Sequence, residues 1–319
     1  MSPGTSEFCI NLRNVLDAAK RIEPYVRRTP VLETSGVAAA ETSLLLKCEN
    51  LQQGSAFKAR GATNAVMSLS DIEAAAGVVT HSSGNHAAAL ARAAVARGIQ
   101  AHIVMPSNSA RIKLQAVRAL GVEPILCEPT SASREATAAE VQRRTGATLV
   151  HPFNDPAVIA GQGTAVLEIL EQVPDVQAVV VPVGGGGLLA GTLIAAKSLR
   201  PDLLVFGAEP QWADDAWRSM KSGKIEPALR TDSIADGLRT PLGTLTFPII
   251  RSLVNEILTV SEDAIRRATK QLAGDVRIIS EPSGAVTVAA VQEHAQHFRG
   301  LRTVALISGG NLDDFALLS

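Results

Sequence analysis

Residues Val181–Gly191, with the sequence VPVGGGGLLAG, contain four consecutive glycines between a β-branched run and an apolar run. The run Ala178–Val183 predicts a buried strand, and Leu188–Leu199 predicts a helix. Glycines let backbone N–H groups converge on an anion, and the positive end of the helix dipole adds to that attraction. The stretch therefore predicts a phosphate-binding turn, in preference to a turn that only lets a helix pack on a sheet.

The same glycines also fit a dinucleotide-binding pattern, Gly185-x-Gly187-x-x-Ala190. Glu209 ends the next predicted strand, about where an acid that binds a ribose belongs. Taken alone, the segment is therefore compatible with an NAD-dependent dehydrogenase. That alternative does not explain why the motif lies in the middle of the chain, and it leaves Lys58 and the polar cluster Ser82–His86 without a role.

Strands and helices alternate along nearly the whole chain on both sides of this turn. Continuous apolar strands separated by helices indicate an α/β fold with parallel sheets covered on both faces. The stretch Gln211–Thr246 is rich in Gly, Pro and Asp and predicts irregular connecting structure. The other predicted strands are Gly77–Thr80, Gln100–Met105, Val122–Cys127, Thr148–His151, Leu203–Ala208 and Thr303–Ile307, and the other predicted helices are Asn85–Arg97, Ser109–Leu120, Ser133–Arg144 and Val158–Gln172.

Two more turns follow predicted strands and carry polar side chains. His81–His86, with the sequence HSSGNH, offers two hydroxyls, an amide and backbone donors at a helix start. It fits a carboxylate site and, equally well, a cluster of N-capping residues. Ser308–Asn311, with the sequence SGGN, follows the last strand, and by itself it predicts an ordinary turn. In open parallel sheets, ligands bind beyond the carboxyl ends of the strands, so both turns remain candidates.

The third turn, Ser55–Gly61 with the sequence SAFKARG, places Lys58 between Phe57 and small residues at a predicted helix start. Desolvation there would lower the pKa of the lysine and make its neutral, nucleophilic form available. The alternative is a solvated surface lysine, which a single lysine without further context favours.

Composition excludes several classes of protein. The 319 residues carry a formal net charge of −1, one Tyr and two Trp, and their basic residues are scattered, so we expect no nucleic-acid partner. Three distant cysteines, Cys9, Cys48 and Cys127, form neither a disulfide framework nor a zinc motif and suit a reducing cytosol. The apolar runs are too short to cross a bilayer, and the N-terminal residues do not have the pattern of a signal peptide. We therefore expect a cytoplasmic protein with no membrane partner.

Together, and in this order, the turns resemble those of the fold-type-II pyridoxal-phosphate (PLP) enzymes, over about Arg28–Asp313. Among these enzymes, the chain most resembles the serine racemases and serine/threonine dehydratases. The resemblance implies a tryptophan synthase β-like fold of two intertwined open parallel-sheet domains, a large one formed by 1–68 and 152–319 and a small one formed by 69–151. Its most specific stretches are Ser82–His86, Asn154–Thr164 and Pro182–Gly187.

The resemblance also implies how PLP would be bound. Lys58 would hold the cofactor as a Schiff base, and Asn85 would hydrogen-bond the ring hydroxyl. Ser308 would face the pyridine nitrogen, while Phe57 and Gly237 would enclose the ring. The phosphate would be bound by the backbone N–H groups of Gly184, Gly185, Gly186 and Gly187.

Substrate and metal sites follow from the same resemblance. Lys58 would remove the α-proton, and Ser83 would be the acid or base on the opposite face. The amino-acid substrate would be bound by Ser82, Ser83, Asn85, His86 and Arg134. A divalent metal would be bound by Glu209, the carbonyl of Ala213 and Asp215, because oxygen ligands suit Mg²⁺ or Ca²⁺.

The expected reaction is dehydration of a 3-hydroxy-L-amino acid, such as serine, threonine or hydroxyaspartate, to a 2-oxo acid and ammonia. Racemisation of serine is the alternative, because a serine at position 83 permits it without requiring it. The chain departs from the family's usual Gly-Ser-Phe-Lys at Ser55-Ala56-Phe57-Lys58. Ala56 lacks the hydroxyl that the usual serine would place next to the cofactor. Its absence affects which substrate is accepted and the balance between the two reactions. A homodimer is also expected.

Overall fold

The computed structural model describes residues 8–34, 37, 42–82 and 84–318. Their ten strands form two sheets. The larger sheet has the order β1-β2-β10-β7-β8-β9 and the smaller one β5-β4-β3-β6. The strands are β1 Val31–Glu33, β2 Ser43–Cys48, β3 Val78–His81, β4 Ala101–Pro106, β5 Ile125–Cys127, β6 Thr148–Leu149, β7 Ala178–Pro182, β8 Leu204–Pro210, β9 Glu256–Val260 and β10 Arg302–Ile307.

Helices cover both sheets, as the alternating sequence predicts. The described α-helices are α1 Leu12–Ile22, α2 Lys58–Ser68, α3 Asp71–Ala76, α4 Asn85–Arg97, α5 Arg111–Arg118, α6 Ser131–Thr145, α7 Pro156–Gln172, α8 Gly187–Leu199, α9 Asp215–Ser222, α10 Thr246–Leu253, α11 Glu262–Gly274 and α12 Pro282–Glu293. Among the described strands, all pairs are parallel except that the edge strand β1 runs antiparallel to β2, so the predicted parallel sheets are confirmed with one antiparallel edge strand.

One stretch predicted to be irregular, Gln211–Thr246, contains helix α9 and the first residue of α10. The side chain of Asp214, which precedes α9, makes no capping hydrogen bond. Instead the carboxylate of Glu209, at the end of β8, accepts hydrogen bonds from the N–H groups of Ala216 and Trp217. The first turn of α9 is therefore stabilised by a residue from a strand, and that contact has no local sequence signature.

The central strand β7 shows why the larger sheet is covered on both faces. Val179 and Val181 pack into the apolar layer formed with α7 and α8, whereas Ala178 and Val180 pack on the opposite face with α11 and α12. All four side chains are buried. Burial of a valine contributes about 1.5–3 kcal/mol, so this strand anchors the core.

All strands of the smaller sheet lie between Val78 and Leu149, inside the predicted small domain 69–151. Helix α2 contacts α4 on one side and α7 on the other, so it lies where the two layered regions meet. The limits of the small domain and of the large domain, 1–68 and 152–319, stay predictions.

Helix α7 lies against α2 and α8 at glycines. A Cβ atom added at Gly161 would lie 2.6 Å from the carbonyl oxygen of Arg60 in α2. A Cβ atom added at Gly163 would lie 2.6 Å from the carbonyl oxygen of Gly191 in α8. The three helices therefore approach each other backbone to backbone, at distances that no other residue type permits.

Buried charges join α2 to α7 and β2. The guanidinium of Arg60, which is 1% exposed, donates to Glu49 at 2.7 and 2.8 Å and to Glu168 at 2.7 and 2.9 Å. Lys47 is also buried, and its ammonium donates to Glu168 at 2.6 Å. Two cations thus meet two carboxylates, which matters because an unpaired charge in this position would be strongly destabilising.

We predict that Gly163→Ala lowers the free energy of unfolding by about 3 kcal/mol, because the added methyl group would overlap backbone atoms that cannot move aside. Urea unfolding followed by circular dichroism measures the change. Gly274→Ala, at the end of α11, is the matched control because nothing lies within 4 Å of its added Cβ atom. A gain or no change is expected there. Equal effects of the two substitutions would contradict the packing argument.

Candidate active site

Lys58 is the first residue of α2 and is partly buried. Its ammonium donates a hydrogen bond to the carbonyl of Pro152 at 2.7 Å and lies 5.1 Å from the centre of the Phe57 ring. Burial lowers the pKa of Lys58 to about 8, and the nearby carboxylate of Glu281 limits that decrease. Lys58 is therefore a desolvated lysine whose neutral amine is available near neutral pH, as formation of a Schiff base requires.

The four glycines Gly184–Gly187 lead into the N-terminus of α8, with Gly186 at a φ of +84°. A Cβ atom added at Gly185 would clash with the ring of Phe153, whose Cγ atom would lie 2.2 Å away. The carbonyl of Gly185 accepts a hydrogen bond from the Thr246 hydroxyl at 2.8 Å. The turn therefore requires glycine, and its residues fit a phosphate group because a helix N-terminus supplies backbone donors and a favourable dipole.

The turn that carries Lys58 and the turn after the last strand are joined by backbone hydrogen bonds. The N–H of Phe57 donates to the carbonyl of Ser308 at 3.0 Å. Ala56 forms an antiparallel bridge with Gly309. Ser308 is buried beside this bridge, so two predicted cofactor residues, Phe57 and Ser308, lie side by side although about 250 positions separate them in the sequence.

Gly237 lies against the glycine turn. A Cβ atom added at Gly184 would lie 3.1 Å from the carbonyl oxygen of Gly237. The N–H of Gly237 donates to the Ser283 hydroxyl at 3.0 Å, which holds this loop at the start of α12. The structure therefore brings Gly237 next to Gly184–Gly187, as the predicted cofactor site requires.

Asn85 begins α4, and two residues without a predicted role hold its side chain. Its amide nitrogen donates to the carboxylate of Glu281 at 2.9 Å, and its amide oxygen accepts from Asn311 at 2.9 Å. Burial, and then the charge of Asp236, raise the pKa of Glu281 to about 7. Sequence reasoning missed Glu281, for which the available signal was an acidic residue directly before Pro282 and Ser283 at a helix start.

The predicted substrate residues fall into three groups. Ser82 and His86 flank the start of α4, and the ring of His86 is buried with one nitrogen 3.2 Å from the carbonyl of Val150. Burial, followed by the charge of Lys58, lowers the pKa of His86 well below its usual value, so the ring is neutral. Arg134 lies on α6, where its guanidinium donates to Ser131 at 2.9 Å. Ser83 lies outside the described residues.

Arg134 acts electrostatically on the end of strand β3. Its charge contributes to lowering the pKa of His81, after burial of that ring. His81 is the last residue of β3 and is followed directly by Ser82. Arg134 therefore lies within electrostatic range of the end of β3, which Ser82 follows directly.

The predicted metal residues contain two buried carboxyl groups. One oxygen of Asp215 has no hydrogen-bond partner among the described residues. Burial raises the pKa of Asp215 to about 7, and burial together with the charge of Asp215 raises the pKa of Glu209. In the described part of the chain, no three His, Cys, Asp or Glu side chains lie close enough to bind a metal ion. The two carboxylates and the buried Ala213 thus fit a cation only if the backbone and water complete its ligands.

Comparison with known proteins agrees with this geometry. The sequence pattern of the family described as "Pyridoxal-phosphate dependent enzyme" matches residues 22–309. The chain belongs to this family. The α/β fold-type-II architecture is confirmed, and the NAD-dependent alternative is wrong because the glycine turn belongs to a PLP-dependent fold.

Relatives extend over nearly the whole chain. A serine racemase of Arabidopsis thaliana is 44% identical over 319 residues, covering 98% of this chain and 96% of the relative. A beta-hydroxyaspartate dehydratase of Paracoccus denitrificans is 46% identical over 302 residues, covering 94% of this chain and 96% of the relative. The solved structure of maize serine racemase has a TM-score of 0.94 at 42% identity, covering 97% of this chain and 96% of that one.

The solved structure of a threonine deaminase has a TM-score of 0.90 at 44% identity, covering 96% of this chain and 99% of that one. Racemases, a dehydratase and a deaminase thus share this fold and similar sequences. None of the helices in the described ranges combines the length and the apolar character that a membrane span needs.

We predict that the reaction of Lys58 with acetic anhydride rises with pH and is half-maximal near pH 8 in the folded protein without cofactor. The neutral amine is the nucleophile, and the lowered pKa of Lys58 makes that form available at lower pH. Competitive labelling with peptide mass mapping measures this reaction. The denatured chain is the control, with an expected midpoint near the ordinary lysine pKa of 10.5.

The same mapping tests the assignment of Lys58. Borohydride reduction of the protein loaded with PLP is expected to fix the cofactor on Lys58. A midpoint near pH 10.5 in the folded protein, or a cofactor fixed on another lysine, would refute the role given to Lys58.

Proposed function

We propose that this protein is a PLP-dependent dehydratase that converts a 3-hydroxy-L-amino acid to a 2-oxo acid and ammonia. The observation that carries the proposal is the desolvated Lys58 at the start of α2. Its pKa of about 8 suits an amine that exchanges a proton near neutral pH. Family membership and relatives that include a beta-hydroxyaspartate dehydratase support the same chemistry.

The residues around Lys58 would bind the cofactor as follows. Backbone N–H groups of Gly184–Gly187 would hold the phosphate, and Phe57 and Gly237 would enclose the ring. Asn85 would hydrogen-bond the ring hydroxyl, and Ser308 would face the ring nitrogen. PLP would supply an electron sink for the electron pair left when the α-proton of an amino acid is removed.

Proton transfer in this proposal depends on Lys58 and on the donors at the start of α4. The amine of Lys58 would take the α-proton and return a proton to the β-hydroxyl oxygen, which would leave as water, and water would then hydrolyse the unsaturated product to the 2-oxo acid and ammonia. The substrate carboxylate would be bound by the hydroxyl of Ser82, by Ser83 and by backbone N–H groups, since the neutral His86 supplies no charge. Arg134 would add a longer-range positive charge. The hydroxyl of Ser308 would lie at the ring nitrogen. An aspartate there would keep that nitrogen protonated, whereas a serine would not, and this favours rapid elimination or reprotonation over transamination.

Racemisation of serine is the second candidate, because serine racemases are among the relatives at 44% identity. It would need an acid or base on each face of the α-carbon, with Lys58 on one and Ser83 on the other. We favour dehydration because Ala56 replaces the serine that usually precedes Phe-Lys, so the wall beside the cofactor loses a hydroxyl.

A divalent cation is part of the proposal. Glu209, the carbonyl of Ala213 and Asp215 would bind Mg²⁺ or Ca²⁺, and the cation would neutralise two buried carboxylates at the start of α9. It would organise the loop after β8 without taking part in proton transfer. A homodimer and a cytoplasmic location stay predictions.

A panel of 3-hydroxy amino acids tests the reaction. L-serine, L-threonine and 3-hydroxyaspartate are each assayed for the 2-oxo acid and for the inverted amino acid. We expect 2-oxo acid and ammonia in equal amounts, with little inversion, from at least one of them. Mostly D-serine from L-serine would favour the racemase, and neither product from any substrate would refute both candidates.

Ser83→Ala is the matched variant for this panel. If Ser83 serves the second face, the substitution reduces inversion far more than elimination, because elimination needs a base on one face only. An equal loss of both products would assign Ser83 to carboxylate binding alone.

Metal removal has a separate expected outcome. Chelation should lower the melting temperature and the activity together, and Mg²⁺ or Ca²⁺ should restore both, because a ligand that binds only the folded state stabilises it. Differential scanning fluorimetry with and without chelator measures this. Asp215→Asn should abolish the response, whereas the control Asp202→Asn, on an exposed loop, should retain it. A wild-type protein without metal and without any response to chelator would eliminate the site.

A further inference from the structure

Gln162 lies in the Gly161-Gln162-Gly163-Thr164 stretch of α7, and the proposed reaction gives its side chain no role. Its side chain is fully buried, and neither its amide nitrogen nor its amide oxygen has a hydrogen-bond partner among the described residues. A buried polar group without a partner costs about 1–3 kcal/mol. Such a group calls for a physical reason, since nearly all buried amides in proteins are paired.

The amide of Gln162 points at the glycine turn. A Cβ atom added at Gly187 would lie 2.8 Å from the amide oxygen of Gln162, and one added at Gly61 would lie 2.9 Å from its Cγ atom. Gln162 therefore fills the space between α2, three residues beyond Lys58, and the first turn of α8. Any larger residue at Gly187 would displace the amide.

Polar side chains close to Gln162 already have partners. The hydroxyl of Thr164 donates to the carbonyl of Gly161 at 2.7 Å. The amide of Asn64, which lies over Gly161, donates to the carbonyl of Ala157 at 2.7 Å and accepts from Arg21 at 2.6 Å. These two side chains therefore do not pair with the amide of Gln162, whose oxygen lies beside Gly187 of the glycine turn.

The turn is held on its other side by a different element. Thr246 donates to the carbonyl of Gly185 at 2.8 Å, and the N–H of Gly243 donates to the same oxygen at 3.3 Å. The carbonyl of Gly186 accepts from Ala190 inside α8. Gly185 and Gly186 are thus fixed by protein contacts, whereas the side chain next to Gly187 is an amide without a partner among the described residues.

We propose that Gln162 is a positioning residue for the cofactor phosphate, which acts through Gly187. When the N–H groups of the turn converge on a phosphate, the N–H of Gly187 is shared between the phosphate and the amide oxygen of Gln162, so that this oxygen gains a donor. The cost of the buried amide is then recovered on binding, so Gln162 adds to the affinity for the phosphate group alone. This inference rests on the proposed assignment of Gly184–Gly187 to the phosphate.

The test compares two cofactor forms, PLP and pyridoxal, which differ only in the phosphate. Gln162→Met keeps the length of the side chain and removes both polar atoms. We expect the affinity of the cofactor-free full chain for PLP to fall about tenfold, as loss of one hydrogen bond of ordinary strength predicts, and its affinity for pyridoxal to stay unchanged. Absorbance titrations give both dissociation constants, and the ³¹P resonance of bound PLP should shift.

The melting temperature of the cofactor-free protein should not fall although the affinity for PLP does. A merely structural role of Gln162 would not produce this combination. Without cofactor, Gln162→Met should melt at the same temperature as the wild type or higher, because an unpaired buried amide is replaced by an apolar group. The matched control is Thr192→Val in α8, which also removes a buried polar group without a partner among the described residues but lies away from the turn. There, both dissociation constants should stay unchanged.

Each result supports or overturns the proposal. Equal weakening of PLP and pyridoxal, or no weakening of either, would overturn it. If Gln162→Met does not fold, Gln162→Glu retains the shape of the side chain, and a loss restricted to PLP is then required. If the wild type binds pyridoxal as tightly as PLP, the assignment of the glycine turn to the phosphate fails first, which separates that failure from the failure of Gln162.

Discussion

Helix α7 touches α2 and α8 backbone to backbone, and the positions of the Lys58 amine and of the glycine turn both depend on this contact. Gly161 and Gly163 face opposite neighbours, so one helix sets the distance to both. A methyl group at Gly163 would overlap the carbonyl of Gly191. Since interiors are close-packed and transmit strain, a change of spacing here would alter the gap between the starts of α2 and α8, where we propose that the cofactor binds.

The chemistry of the site depends on contacts between distant parts of the chain. The backbone of Phe57 is tied to Ser308, and the amide of Asn85 is held between Glu281 and Asn311. Each contact joins a turn of one region to a turn at the far end of the sequence. Phe57 and Ser308 follow the carboxyl ends of β2 and β10, which pair in the larger sheet. Asn85 follows β3 of the smaller sheet, so its contact with Asn311 joins the carboxyl ends of strands from the two sheets.

Sequence reasoning found the elements whose signals are local. The helix Asn85–Arg97 has the predicted bounds, and the strand Ala178–Val183 differs from the observed one by a single residue. It missed α9, because the N–H groups at its start are bound by Glu209, and it missed Glu281, because only the tertiary fold brings that carboxylate to Asn85. The antiparallel orientation of the edge strand Val31–Glu33 could not be predicted from the sequence either, because the pairing direction is set by the whole sheet.

The glycine contacts set how far α2 stands from α7, yet a smooth contact of this kind would let one helix slide along the other. The guanidinium of Arg60 removes that freedom, because it must reach the carboxylates of Glu49 and Glu168 together. A slip of one helical turn, about 5.4 Å, would leave these buried charges unpaired. Lys58 lies two residues earlier, so the axial register of its amine is determined electrostatically by a side chain that takes no part in the proposed reaction.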